Sequence, residues 1–60
     1  MPRVTIELVE GRTVEMRRQM AKEITDSIVR ITSCAPDSVS IYFCEMKADQ
    51  FSKAGKLRCD

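Results

Sequence analysis

The sequence predicts an α/β fold: a single β-α-β unit with parallel strands, followed by a short C-terminal hairpin. Three observations carry this prediction, namely a strand-like alternation over residues 3–9, a helical spacing of apolar residues over 14–32, and a second apolar strand over 39–45. A strand, a long helix and a strand in this order place the two strands parallel, with a right-handed crossover. With 60 residues, the chain is expected to form one domain, residues 1–60.

The first strand has the sequence RVTIELV, and its side chains alternate between the two faces of a sheet. Val4, Ile6 and Leu8 share one face, as the twofold period of a strand requires. Gly11 follows, and glycine accepts positive φ without strain. The sequence therefore predicts a turn directly after the strand.

The helix is expected to run from residue 14 to residue 32. Thr13 is a suitable N-cap, because its side chain can accept a hydrogen bond from an N–H of the first turn. Apolar residues then recur every three or four positions as one stripe, with Arg17 as a polar interruption at its edge. The stripe consists of Val14, Met20, Ala21, Ile24, Ile28 and Ile31. The helix should end before Ala35-Pro36, since proline disfavours helical backbone in the preceding residue.

The second strand, VSIYFCE, is apolar on both faces, so both faces are expected to be covered. Cys44 in particular is interpreted as a small core residue. Further along, Ala54-Gly55 predicts a tight turn, and residues 56–58 a short strand. Two strands and one helix bury too little surface to be stable alone. The uncovered sheet face is therefore expected to meet another copy of the chain.

Composition excludes several classes of function. The net charge is +1 and no long run of like charge occurs, which argues against nucleic acid or an anionic membrane as a partner. The chain has three cysteines, no C-x-x-C motif and no histidine, so neither a disulfide framework nor a metal site is expected. A glycine-rich phosphate loop is also missing from the sequence, and no cofactor is predicted. With no apolar stretch long enough for a signal peptide or membrane span, we expect a cytoplasmic protein.

Pro2 is the residue with unusual chemistry, provided that Met1 is removed. Its nitrogen then becomes a secondary amine, and the reference pKa of an α-amino group is about 7.7–8.0. A proline amine starts higher, and burial in an apolar pocket or nearby cations would lower its pKa. An amine near the working pH can act as a general base. Arg12 could supply the cation or bind a carboxylate through two hydrogen bonds. The plain alternative is an edge-strand proline, tolerated where nothing pairs.

The pattern as a whole resembles the 4-oxalocrotonate tautomerase family over essentially the full chain. The matching features are Pro2, the segment EGRT at 10–13, the long amphipathic helix, the short apolar strand, Glu45-Met46, Phe51 and Ala54-Gly55. The resemblance implies a cofactor-free isomerase that ketonises 2-hydroxy-dienoate or enol-pyruvate substrates, with Pro2 as the general base. It also implies that Arg12 binds a substrate carboxylate, usually across a subunit boundary, and that Val9 and Phe51 line the apolar pocket. Members are typically hexamers built as trimers of dimers, and the resemblance points to aromatic hydrocarbon catabolism.

Ser40 departs from the family pattern. The best-studied members carry a second arginine there, and serine cannot hold a carboxylate as a guanidinium does. The resemblance therefore predicts a preference for monocarboxylate enols such as phenylenolpyruvate over dicarboxylates such as 2-hydroxymuconate. Lys53 could supply the missing cation or be a solvated loop lysine. A non-catalytic structural or binding subunit is the alternative function; retention of Met1 would favour it, because Pro2 would then be an amide.

Overall fold

The structure is a computed structural model, and it describes residues 2–60. The main elements are strand β1 (Arg3–Val9), helix α1 (Val14–Thr32) and strand β2 (Ser40–Met46). Two short strands follow, β3 (Ser52–Lys53) and β4 (Lys56–Leu57), and short 3₁₀ turns lie at Pro36–Ser38 and Ala48–Gln50. The predicted β-α-β unit with a C-terminal hairpin is confirmed. The bounds of β1 and α1 agree with the sequence, and β2 lies one residue later than expected.

The sheet pairs β1 with β2 in parallel, from Arg3 opposite Ser40 to Val9 opposite Met46. The pairing extends past β1 at both ends. The amide of Ser40 donates to the carbonyl of Pro2 at 3.0 Å, and the amide of Glu10 donates to the carbonyl of Met46 at 2.8 Å. Apolar residues on the helix side, such as Ile6 beside Phe43, are half-buried, whereas most residues on the other face are exposed, except Val9 and Met46 at the end of the strands.

Helix α1 begins and ends where its capping residues allow. Thr13 has extended backbone, and its side-chain oxygen accepts a hydrogen bond from the amide of Met16 at 3.1 Å. At the other end Ser33 adopts the left-handed conformation, with φ of 62°, and its amide donates to the carbonyl of Val29 at 2.9 Å. The predicted N-cap is therefore confirmed in its geometry, and the turn after Ser33 leads the chain back to β2.

Replacing Thr13 by alanine is expected to lower the free energy of unfolding by about 1 kcal/mol, because the amide of Met16 then loses its partner. Urea denaturation at one fixed protein concentration would measure the loss. Thr13→Ser keeps the capping oxygen and serves as the control. If the alanine and serine variants unfold at the same urea concentration, the cap does not contribute to stability.

The C-terminal hairpin pairs β3 and β4 antiparallel, with Ser52 opposite Leu57. Its two turn residues, Ala54 and Gly55, both have positive φ, at 55° and 79°. This is the conformation of a two-residue turn that matches the twist of a hairpin. The turn predicted at Ala54-Gly55 is confirmed, and the short strand predicted over residues 56–58 is present over Lys56–Leu57.

One chain does not enclose a core. Of residues 2–60, none is buried, and the accessible surface is 4926 Å². A compact protein of 6.8 kDa would expose about 4,000 Å². The radius of gyration is 14.6 Å, with extents of 44 × 22 × 13 Å, whereas a compact chain of this length has a radius of about 10 Å. The chain is thus flat and elongated, and much of its apolar surface stays exposed.

Both faces of the second strand were expected to be covered, but within one chain only the face toward α1 is. On the side away from α1, Tyr42 is 63% exposed and Cys44 is exposed as well. The prediction of Cys44 as a core residue is therefore wrong within one chain. The apolar stripe of α1 also overruns the sheet, leaving Val14 52% and Ile31 72% exposed. A helix of 19 residues is about 28 Å long, whereas strands of seven residues span only about 20 Å.

Within residues 2–60, no helix has the length and apolar character needed to cross a membrane.

Candidate functional site

The predicted site residues lie at two opposite ends of the sheet. Pro2 and Ser40 lie where the parallel strands begin, and Val9 and Arg12 lie where β1 ends. Phe51 and Lys53 follow the end of β2 and therefore belong to the second group. With a rise of about 3.3 Å per residue, the six steps along β1 cover about 20 Å. Within one chain, Pro2 and Arg12 are thus too far apart to contact one small substrate.

At the beginning of the strands, Pro2 and Ser40 are held together by backbone pairing. Pro2 is half-buried, and its carbonyl accepts the hydrogen bond from the amide of Ser40. This pairing fixes the direction of the proline ring, because Pro2 is rigid and is joined directly to the paired strand β1. Met1 lies outside the described residues, so its removal stays a prediction of the sequence.

At the other end, Arg12 lies in the exposed loop between β1 and α1. Gly11 turns the chain with φ of 117°, a conformation that residues with a side chain rarely adopt. The Arg17 guanidinium then donates to the carbonyl of Arg12 at 3.2 Å and forms an ion pair with Glu45 of β2. Arg17 and Glu45 therefore connect the helix and the second strand to the backbone of Arg12. The side chain of Arg12 forms no ion pair with any of residues 2–60.

Arg17 and Glu45 are the site-supporting pair that the sequence interpretation missed. Arg17 was expected only as a polar interruption of the apolar stripe, and the segment Glu45-Met46 only as part of the family pattern. Their side chains are 25% and 36% exposed, so the pair is only partly screened by water. Two signals in the sequence could have indicated this ion pair. One is a basic residue inside the apolar stripe of the helix, and the other is an acidic residue on the helix side of β2.

Two cavities divide the predicted site residues between them, since one contains Arg12 and the other contains Phe51 and Lys53. One groove of about 400 Å³ runs between the end of β1 and the first half of α1. Its lining consists of Leu8, Arg12, Met16, Gln19, Met20 and Glu23. A second cavity of about 250 Å³ lies in the C-terminal hairpin, where Phe51 and Lys53 both contribute to the lining. Val9 lines neither cavity and is half-buried opposite Met46.

The geometry thus brings together Pro2 with Ser40, and Phe51 with Lys53, but not all the predicted residues. Arg12 lies in a separate groove, about 20 Å from Pro2 along β1. Within residues 2–60 of one chain, neither cavity combines Pro2 with Arg12.

The chain is similar to known proteins over its whole length. A family model described as "Tautomerase enzyme" matches residues 2–58. The 2-hydroxymuconate tautomerase of Bacillus subtilis (strain 168) is 32% identical over 60 residues, which cover 100% of this chain and 97% of that protein.

Solved structures agree with this likeness. A 4-oxalocrotonate tautomerase isozyme from Methylibium petroleiphilum superposes with a TM-score of 0.90 at 38% identity, covering 97% of this chain and 91% of that one. A chain of the same fold from Chloroflexus aurantiacus J-10-fl belongs to a heterohexameric 4-oxalocrotonate tautomerase. It superposes with a TM-score of 0.91 at 17% identity, and the match covers 100% of this chain and 97% of that one. The predicted fold is therefore confirmed, and so is the resemblance on which the predicted site residues depend.

Proposed function

The chain belongs to the tautomerase family, and from this premise we propose that it is a cofactor-independent keto–enol tautomerase of 2-hydroxy-dienoate or enol-pyruvate substrates. One observation carries the proposal: Pro2 directly precedes β1, and Arg12, exposed and without an ion-pair partner in residues 2–60, lies in the loop that follows the same strand. The likeness to the Bacillus subtilis 2-hydroxymuconate tautomerase supports the substrate class.

Pro2 acts as the base in the proposed reaction. With Met1 removed, the free amine takes the proton of the enol hydroxyl, and the oxygen electron pair forms the ketone carbonyl. The double-bond electrons move to carbon, which accepts a proton from the ammonium group. The product has the same atoms and electrons as the substrate, so the reaction consumes no cofactor. A positioned general base contributes about 10²–10⁴-fold to such a proton transfer.

Arg12 holds the carboxylate of the substrate and orients the enol toward Pro2. Its guanidinium can donate two parallel hydrogen bonds to a carboxylate. The Arg17–Glu45 pair keeps the loop backbone in place, because Arg17 donates to the Arg12 carbonyl. Phe51 and Val9 supply the apolar wall, brought to the site by a neighbouring chain.

The proposal includes a homo-oligomer, most simply a homohexamer arranged as a trimer of dimers. Two observations support it: no residue of 2–60 is buried within one chain, and Pro2 and Arg12 lie at opposite ends of β1. In an oligomer the same packing covers the open sheet face and completes the pocket. The three cysteines are free, which fits a cytoplasmic protein in a reducing environment.

The test is the ketonisation of 2-hydroxymuconate and phenylenolpyruvate by the chain that begins at Pro2, followed by ultraviolet absorbance. Arg12→Gln is expected to lower kcat/KM by about 10- to 100-fold through a higher KM, since a charged hydrogen-bonding partner of the carboxylate is removed. Arg18→Gln is the matched control, because Arg18 is 69% exposed on α1 and pairs only with Glu15. A native chain with no activity, or an Arg12→Gln variant with unchanged kcat/KM, would contradict the proposal.

A further inference from the structure

We propose that Arg3 is the second carboxylate-binding cation of the site. It would replace the arginine that family members carry at the position of Ser40. This inference rests on the proposed function, since it assigns a residue to the same pocket. It makes the chain a tautomerase of dicarboxylate substrates, and it thereby revises the preference that Ser40 alone predicts.

The strand register places Arg3 beside Ser40. The two residues are direct partners in the parallel pairing of β1 and β2. Paired residues of neighbouring strands point to the same face, and neighbouring strands lie about 4.8 Å apart. Both residues are exposed, on the side of the sheet away from the helix. A guanidinium on Arg3 therefore starts one strand width from the backbone position where the family carries its arginine.

Arg3 is also free to bind a ligand. It forms no ion pair and no side-chain hydrogen bond with residues 2–60. The acidic residue on the same face of β1 is Glu7, four residues further along. At about 3.3 Å per residue, it starts about 13 Å away, which is beyond ion-pair distance. Because Arg3 directly follows Pro2, its charge stays at the end of the sheet where the proline amine lies.

A dicarboxylate dienol needs one cation near each end. Arg12 can hold one carboxylate only, and a second carboxylate taken out of water without a partner is strongly destabilised. Lys53 is a weaker candidate for the second cation, because it lies in the hairpin at the Arg12 end of the chain, whereas Ser40 lies at the Pro2 end, directly opposite Arg3. Arg3 meets the requirement by its position beside Ser40 and by its charge.

The test compares two substrates that differ in one carboxylate, 2-hydroxymuconate and 2-hydroxy-2,4-pentadienoate. Arg3→Met keeps most of the side-chain length and removes the charge. It is expected to lower kcat/KM for the dicarboxylate by about 10- to 100-fold, as for loss of a charged hydrogen-bonding partner, and to leave the monocarboxylate nearly unchanged. Adding Ser40→Arg to Arg3→Met should restore the ratio, and Arg3→Lys should keep part of it. Arg18→Met is the control for loss of an exposed arginine.

The outcomes separate this inference from the function on which it rests. A native chain inactive on both substrates contradicts the tautomerase proposal itself. An active native chain whose substrate ratio is unchanged by Arg3→Met, or whose two activities fall equally, overturns the role of Arg3 alone. A falling ratio that Ser40→Arg restores supports it, and because restored activity requires a folded protein, misfolding cannot produce that result.

Discussion

A chain that keeps Met1 ahead of Pro2 is expected to lose ketonisation by about 10²–10⁴-fold relative to the chain that begins at Pro2. The nitrogen of Pro2 is then an amide, which has no useful basicity and cannot take the enol proton. Pro2→Ala in the processed chain leaves a primary amine, so a smaller loss is expected. Initial rates by ultraviolet absorbance, with intact mass to establish the first residue, provide the measurement.

The control for this experiment is a single preparation in which a protease removes an N-terminal extension to expose Pro2. The rate should appear with cleavage, while the far-ultraviolet circular dichroism stays the same. Equal rates before and after cleavage would mean that the amine is not the base. A native source protein that retains Met1 would favour the alternative function, a non-catalytic subunit with this fold.

Replacing Tyr42 by aspartate is expected to abolish assembly and, with it, the folded state. Tyr42 is 63% exposed in one chain, on the sheet face away from α1. If a second chain covers this face, the aspartate charge is taken out of water, at a cost of several kcal/mol. Such a loss is comparable with the whole stability of a small protein, about 5–15 kcal/mol. Light scattering after size exclusion, together with circular dichroism, would measure both effects.

Tyr42→Phe is the matched control, since it keeps the apolar ring and should retain the native mass. A folded aspartate variant of the native mass would show that Tyr42 stays in water in the assembly. A native protein that is a stable folded monomer at micromolar concentration would contradict the oligomer altogether.

The fold could be predicted because short-range signals mark where each element begins and ends. Gly11 and Thr13 define the turn and the helix start, and Ala54-Gly55 defines the hairpin turn. Each signal acts within a few residues, so the sequence alone displays it. The bounds of β1 and α1 agreed with the prediction for this reason.

The relations that could not be predicted are those between distant residues. Arg17 and Glu45 are 28 positions apart, and the helical pattern alone presented Arg17 as an interruption. The pairing of Arg3 with Ser40 depends on strand register, and a shift of one residue would move Arg3 to the other face. Cys44 was expected in a core because an apolar pattern does not tell which chain covers it. Residue chemistry made Pro2 a candidate base and Arg12 a candidate carboxylate ligand, the family resemblance assigned them these roles, and both roles stay proposals.

The position of Pro2 and Arg12 at opposite ends of one strand has an evolutionary consequence. In an assembly where each pocket takes its base from one chain and its clamp from another, a duplicated gene can divide these duties. One copy can lose its terminal amine and the other its loop arginine, while every pocket that takes its base from the second copy and its arginine from the first stays complete. The heterohexameric relative from Chloroflexus aurantiacus shows that this fold does form mixed assemblies. Selection would then act on the two genes together. Each copy could lose the group, amine or arginine, that the other copy contributes to the pocket.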